Sequence, residues 1–509
     1  MWLDRILTRQ ASLAPDAVAL RDIRRELTWR ELRAEVHGLA DRMAARLPRG
    51  ARVLVMSQNR LEVLVTYLAC AAAGVVVVPV NADLADAEVS YIVDYVEPSL
   101  AVAQKSSLDR LAGLAPDLPA WPIEDVPAMA AELGGTPRLA PVGLDDPFAI
   151  LHTSATTGHP KGVLTTHRSL QAQALSWLGD VRPAVGTVYL NASPLFHGSM
   201  VMALDYLAAG GTVCVLDRFT PRACLTALAE WRVEHVLMVP SMIRLLVQTK
   251  DLQTADLSSV RLIVHTAEPM PERLHHQAVG KLGRPLLNVY GLTEAGGPVI
   301  TSRSDGPATP PRHPGARCAG VPMLGVDAVV RTKDGRPAAV GEVGEICLRG
   351  EGTMREYWRR PDATAETLRN GWLHTGDLGY LEEDGRIWTV DRRTDLILRG
   401  GQNVYPAEIE RVLRTSPNVA DVAVVAAPSE AWGHTPWAFV QPADPEAYDE
   451  RELLDLAVRE LASYKRPSRF LTVERIPRNP AGKLLRRQLR DRAAEILAED
   501  EGRRAGTPV

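Results

Sequence analysis

The chain reads as an α/β protein, with a large N-terminal domain of mostly parallel sheets followed by a small α+β C-terminal domain. Three observations carry this reading. Over roughly the first 390 residues, short apolar strands alternate with amphipathic helices, the pattern of parallel sheets with helical crossovers. From Asp327 the texture changes, and Asp334-Gly335 and Asp384-Gly385 sit between strand-like runs as β-hairpin turns. A charged boundary, Asp391-Arg392-Arg393-Thr394-Asp395, then precedes a smaller unit. At 509 residues the chain is too long for one hydrophobic core, so several lobes are expected.

Taken in order, the expected strands are Arg52–Met56, Val75–Val78, Leu100–Ala103, Phe148–Leu151, Thr187–Leu190, Thr212–Leu216, His235–Val239 and Leu262–Val264. The apolar run from Leu64 to Val80 is marginal in length for a membrane span. It also contains Gly74 and Pro79, so a buried helix to Ala73, a turn and a core strand fit better. A helix is expected from Ser169-Leu170 onward. In the smaller unit Ala407–Leu413 and Glu450–Leu461 read as helices, Val422–Ala426 and Phe470–Val473 as strands, and Leu484–Leu497 as a last basic amphipathic helix. The polar tail from Glu499 is expected to be disordered.

Composition excludes several classes. Hydrophobic residues make up 46% and charged residues 24%, as in ordinary globular proteins. A net charge of −4 gives no electrostatic case for a nucleic acid or an anionic membrane as partner. Cys70, Cys214, Cys224, Cys318 and Cys347 have no paired spacing, so neither a zinc motif nor a disulfide framework is expected. The first residues, Met1-Trp2-Leu3-Asp4-Arg5, lack the basic-then-apolar run of a secretory leader, and a cytoplasmic protein is expected. Only seven of the 58 basic residues are lysine, and two of those, Lys161 and Lys483, lie inside motifs.

The most informative motif is Leu151-His152-Thr153-Ser154-Ala155-Thr156-Thr157-Gly158-His159-Pro160-Lys161-Gly162-Val163. Its hydroxyls and backbone N–H groups can donate to phosphate oxygens, and its lysine supplies positive charge. It is not a Walker loop, because no Ser or Thr follows the lysine and no glycine lies five residues before Gly158. Four further segments can serve a nucleotide. In Asn288-Val289-Tyr290-Gly291-Leu292-Thr293-Glu294, an aromatic ring beside a glycine turn can cover a purine and Glu294 can hold Mg²⁺; a plain strand-turn fits these residues equally. In Gly371-Trp372-Leu373-His374-Thr375-Gly376-Asp377, a carboxylate after a glycine turn suits ribose hydroxyls, and it also suits an ordinary turn. Arg399-Gly400-Gly401-Gln402 allows close approach of a ligand to the backbone, or simply a turn before a helix. Finally, Asn479-Pro480-Ala481-Gly482-Lys483 holds a lysine on a tip that can reach another lobe.

Together and in this order, these segments resemble the adenylate-forming (ANL) superfamily, which includes acyl-CoA synthetases, adenylation domains and firefly luciferase. The matching motifs run from residue 151 to residue 487. The resemblance implies a large N-terminal domain over 1–393 that includes a small β-barrel-like subdomain, a hinge at 394–396 and a mobile C-terminal domain over 397–509. It also implies a reaction: a carboxylic acid and Mg-ATP give an acyl-adenylate and pyrophosphate, after which the acyl group passes to a thiol, here that of coenzyme A.

By match, Thr153, Ser154, Thr156, Thr157, Gly158 and Lys161 would cradle the phosphates. Thr293 would meet the α-phosphate and Glu294 the metal. Tyr290 would lie against adenine, with Asn288, Gly291, Thr266, Ala267 and Glu268 around the nucleotide. Asp377 and Arg392 would hold the ribose. Lys483 would bridge carboxylate and α-phosphate oxygens, a task that suits a compact ammonium. His197, in Pro194-Leu195-Phe196-His197-Gly198, resembles the gate beside the acyl pocket. Met238, Pro240, Ser241, Val264 and Leu292 are candidates for that pocket. They are mostly apolar, which favours an aromatic, alicyclic or fatty acid over a zwitterionic amino acid, whose ammonium would need a fixed carboxylate. Rotation about Thr394–Asp395 would let Gly400 and Gly401 line a passage for the pantetheine arm, although relatives often carry Lys or Asp where this chain has Thr394.

Two departures bear on activity. Relatives usually carry Gly where this chain has Ala155, and a left-handed backbone there would cost on the order of 1–2 kcal/mol. His265-Thr266-Ala267-Glu268-Pro269-Met270 replaces the family's glycines and small residues, although some acyl-activating relatives carry Ala-Glu-Pro. These motivate an alternative in which adenylation is weakened or lost, and a preformed acyl-adenylate is only converted to a thioester. Loading of a separate carrier protein is another alternative. A luciferase-like oxygenase or a non-catalytic AMP-binding protein fits the residues less well.

Overall fold

The computed structural model describes residues 2–131, 139, 141–153, 160–266, 270, 272–303, 311–313, 316–392, 395–399, 402–429, 432–461, 463–479 and 482–505. Two sheets and the helices between them form the N-terminal body. In the seven-stranded sheet, strands Arg52–Met56 and Leu100–Ala103 fall where the sequence predicts them, paired in parallel. The helix Leu61–Ala73 between them is buried along its whole length and stops at Gly74, whose left-handed φ of 69° breaks it before strand Val76–Val80. The apolar run from Leu64 is therefore core, and among the described residues no helix is long and apolar enough to cross a membrane.

The second sheet has 14 strands. Its parallel part comprises Val188–Asn191, Thr212–Val215, His235–Met238, Leu262–His265 and Leu286–Leu292, each within two residues of the run expected where one was predicted. Antiparallel strands Gly297–Arg303, Arg317–Pro322, Ile387–Arg392, Trp372–Leu381, Gly344–Arg349 and Asp327–Arg331 continue the same sheet in that order. Both expected hairpins are present, with Gly335 and Gly385 at positive φ. The expected barrel-like subdomain is not closed among the described residues. Arg317–Pro322 pairs with Gly297–Arg303 on one side and Ile387–Arg392 on the other, so the antiparallel strands extend the large sheet and keep no free edge there to close on.

A separate five-stranded sheet forms the C-terminal unit. Its long hairpin, Val419–Ser429 with Gly433–Pro442, packs against helices Pro406–Leu413 and Glu450–Glu460, and Arg469–Thr472 adds a parallel strand. The last helix runs over Arg486–Ala505, beyond the expected end. Ile496 and Leu497 pack, partly buried, against the cluster around Ala423 and Leu489. On the exposed side of the helix charged residues pair at helical spacing, as Arg492 does with Glu495 at 3.0 Å. Thr394 lies outside the described residues. Asp395 is held by Arg486 at 3.3 Å and Arg490 at 3.2 Å.

Candidate active site

The phosphate-loop motif is the tip of a hairpin. Strand Pro147–His152 pairs with Gly162–Thr166, and the Thr153 N–H donates to the Lys161 carbonyl at 3.0 Å, closing the neck. Only after this second strand does helix His167–Asp180 begin, capped by Thr166. Ser154, Ala155, Thr156, Thr157 and Gly158 lie outside the described residues. Lys161 Nζ stands 4.7 Å from the centre of the Tyr357 ring. The Tyr357 hydroxyl in turn donates to Glu294 Oε1 at 2.7 Å. Burial, and then the Glu294 charge, push that hydroxyl's pKa up, so it stays a donor. One buried ring thus spaces the loop lysine from the carboxylate expected to hold the metal. Nothing in the local sequence marks Tyr357. It arrives on the two-residue strand Glu356–Tyr357, which pairs with the hairpin at Val163.

The second half of the site joins two strands. The Tyr290 hydroxyl donates to Asp377 Oδ2 at 2.6 Å. Asp377 is buried at 8% exposure, its N–H donates to Thr375 Oγ1 at 3.0 Å, and its cross-strand partner in register is Arg392. The carboxylate and arginine expected on the ribose therefore start from adjacent backbone positions. Gly376, with φ 73°, makes the bend before Asp377 inside strand Trp372–Leu381. Gly291 is not a turn, contrary to expectation. It lies within strand Leu286–Leu292 beside a bulge, where a Cβ would overlap the Gly297 carbonyl. The turn comes later, at Gly296 with φ 86°. Thr293 and Glu294 occupy the single 3₁₀ turn between them.

Asn288 directs its amide to the Cys318 and Ala319 carbonyls at 3.4 and 3.3 Å, and Thr266 Oγ1 donates to the Val289 carbonyl at 2.9 Å. Both side chains bond to strand backbone beside the site. Ala267 and Glu268 lie outside the described residues.

His197 precedes helix Gly198–Ala208 as its N-cap. Burial first, and then the charge of Lys483, lower its pKa to about 4. The C-terminal lysine thus acts electrostatically on the histidine expected at the acyl gate. Lys483 is presented by a tight turn in which its N–H donates to Asn479 Oδ1 at 2.8 Å and Gly482 takes φ 82°. His152, just before the phosphate loop, is also lowered to about 4, by burial and by His197. Both imidazoles are neutral at physiological pH, so Lys483 faces no fixed positive charge from either.

Val264 packs in the core between the two sheets, together with Leu195, Met200 and Val201. Met238 does not join them. It packs with Ile243 and Ile263 on the far face, because side chains alternate along strand His235–Met238, and Leu237 takes the inner position instead. Leu292 and Tyr290 are partly buried against the cluster around Ala295 and Val299. Ser241 lies in the first turn of helix Pro240–Gln248. Gly400, Gly401 and the Arg392 side chain lie outside the described residues.

Glu345, Cys347 and His374 have ligand-type atoms within 4.8 Å of one another. Glu345 already accepts from the Gly376 N–H at 3.1 Å and binds His374 at 3.0 Å, with Arg369 at 3.6 Å. Those bonds brace the bend that presents Asp377, and the arginine opposes a cation there.

Comparisons with known proteins identify the family. The model of the AMP-binding enzyme family matches residues 7–358, and that of the AMP-binding enzyme C-terminal domain matches 408–483. A fatty acid–[acyl-carrier-protein] ligase, ScoC of Streptomyces coeruleorubidus, is 37% identical, over 92% of each chain. A feruloyl-CoA synthase from an Amycolatopsis species is 35% identical, over 95% of this chain and 97% of its own. Among solved structures, ATP-bound MatB from Rhodopseudomonas palustris superposes with a TM-score of 0.89 at 28% identity, covering 97% of this chain and 99% of that one. MenE from Bacillus subtilis with its OSB-AMP acyl-adenylate gives 0.85 at 29%, covering 96% and 98%. The chain belongs to the AMP-binding enzyme family. Within that class it is an acid–thiol ligase of the AMP-forming acyl-CoA synthetase type.

Proposed function

We propose that this protein activates a carboxylic acid with Mg-ATP as an acyl-adenylate and then transfers the acyl group to the thiol of coenzyme A. The observation that carries the reading is the row of Lys161, Tyr357 and Glu294 beside the phosphate hairpin, with the Tyr290–Asp377 pair on the neighbouring strands; the charge of Lys483 felt at His197 supports it. A carboxylate and an α-phosphate repel each other, and an ammonium between them offsets that repulsion where charge builds in the transition state. Thr293 would donate to the α-phosphate. Thr153, Ser154, Thr156, Thr157, Gly158 and Lys161 would hold the outgoing phosphates. Tyr290 would flank adenine, and Asp377 with Arg392 the ribose.

Glu294 suits a magnesium ion: it is a hard oxygen donor, and among the described residues only one of its oxygens is engaged, by Tyr357. Bound there, the ion would neutralise phosphate charge. Transfer needs a second pose, in which pyrophosphate has left and a thiol enters. We place its hinge at 394–396, between an N-terminal domain over 1–393 and a C-terminal domain over 397–509, with Gly400 and Gly401 lining the thiol passage.

Two alternatives are each favoured by one observation. The similarity to a ligase for an acyl carrier protein favours a carrier's pantetheine as acceptor. Ala155 favours weakened adenylation, with a preformed acyl-adenylate as substrate. Incubating a panel of acids with ATP and either coenzyme A or a carrier protein tests all three. AMP and acyl-CoA from free acid support the main reading. Thioester formed only from added acyl-adenylate supports the restricted one.

A further inference from the structure

Helix Gly198–Ala208 carries an acidic side chain that its surroundings do not explain. Every residue from Ser199 to Leu207 is buried, and Asp205 lies in this run with 0% exposure. Among the described residues, neither of its carboxylate oxygens has a hydrogen-bond partner. No cation among the described residues acts on it, and burial alone raises its pKa. The nearby tyrosines direct their hydroxyls elsewhere, Tyr206 to His235 Nδ1 at 2.7 Å and Tyr189 to Asn191 at 3.4 Å. The other buried acids among the described residues each have a cation or a donor: Asp22 has Arg24, Glu62 has Arg25 and Arg60, Glu408 has Lys465, Glu410 has Arg486, Asp421 has Arg414 and Arg478, and Asp377 has Tyr290. An unpaired buried carboxylate is costly, and such groups persist where a ligand supplies the partner.

Its position is informative. The helix starts at His197, the gate reached by Lys483. Just inside lies a small cavity bordered by Phe148, Leu151, Ser169, Met200, Val201 and Gly296. Helix His167–Asp180 runs alongside in the same direction: Ser169 and Leu170 share the cavity with Met200 and Val201, and further on Trp177 packs edge-on against Tyr206 at 6.1 Å. One turn beyond the cavity the two helices therefore place Gln173, four residues after Ser169, and Asp205, four after Val201. Gln173 Nε2 is also buried without a partner among the described residues. Gln173 and Val201 both border Gly297, whose missing Cβ leaves them room.

We infer that Asp205 and Gln173 form the far end of the acyl pocket and bind a basic nitrogen, so that the cognate acid has an apolar body ending in an amine. This rests on the ligase reading above. An arriving ammonium would pair with the stranded carboxylate, whereas an apolar analogue would leave it stranded, which is how a polar site rejects a substrate that lacks the matching group. From His197 to Asp205 the helix rises about 12 Å, roughly the reach of ω-aminooctanoate. An α-amino group would sit at the wrong end.

The test is selectivity between matched acids with ATP and coenzyme A: ω-aminooctanoate against nonanoate, and para-(aminomethyl)cinnamate against para-ethylcinnamate. The wild type is expected to favour the amine of each pair in kcat/KM by on the order of 100-fold. Asp205→Leu, which continues the apolar run, should invert that preference, and Gln173→Leu should narrow it. Equal or greater wild-type turnover of the apolar members, or a ratio unchanged in Asp205→Leu, overturns the inference and leaves the ligase reading standing. The wild-type ratio decides the matter even if the variant does not fold. No AMP or thioester from any acid overturns both.

Discussion

The Tyr290 hydroxyl donates to Asp377 Oδ2 at 2.6 Å, tying the ring assigned to adenine to the carboxylate assigned to ribose. A hydrogen bond to a charged, buried group contributes about 1.5–3 kcal/mol. Tyr290→Phe keeps the ring and frees the carboxylate to rotate. The KM for ATP should rise about tenfold or more while kcat changes little, because the lost contact orients the bound nucleotide and not the reacting atoms. An ATP titration at saturating acid checks this.

Tyr357 stands between Lys161 and Glu294, touching both. Tyr357→Phe removes only the bond to Glu294, so its main effect should be a higher Mg²⁺ requirement, by about three- to tenfold. Tyr357→Leu also removes the face beneath the Lys161 ammonium, and should lower kcat/KM for ATP by a further factor of about three. Magnesium titrations of both variants separate the two contributions. If the two variants behave identically, the ring has no role of its own.

Five histidines, His152, His167, His197, His235 and His265, have pKa values lowered to about 4, each chiefly by burial. The unfolded chain takes up these protons near pH 6.5, whereas the folded chain resists until about 4. Stability should therefore hold above pH 6.5 and fall steeply as the pH drops from 6.5 towards 4. Urea unfolding at closely spaced pH values measures the slope. A flat profile across that window contradicts the assigned neutral state of these rings.

Much of this architecture is legible in the sequence because it is local. Arg52–Met56 and Leu100–Ala103 are apolar runs bounded by turn residues, and they form strands with those bounds. Gly74 and Gly376 mark bends that need a left-handed backbone. What is not legible depends on partners distant in the chain. Tyr357 meets Glu294 only because its strand pairs with the phosphate hairpin. Met238 faces away from Val264 because a strand's period assigns faces that composition does not reveal. Gly291 looks like a turn until a neighbouring strand is laid against it. Asp205 is hidden in an apolar stretch, and its isolation emerges only when every nearby donor is accounted for.

Exchange of labelled pyrophosphate into ATP, with an accepted acid present and coenzyme A omitted, tests the central claim most directly: that Lys483 closes on the His197 gate to form an acyl-adenylate. The account predicts exchange in the wild type. In Lys483→Ala it should fall by about 100-fold or more, with thioester formation from added acyl-adenylate kept within a few-fold. A wild-type protein without exchange, or a Lys483→Ala protein that exchanges normally, would contradict it.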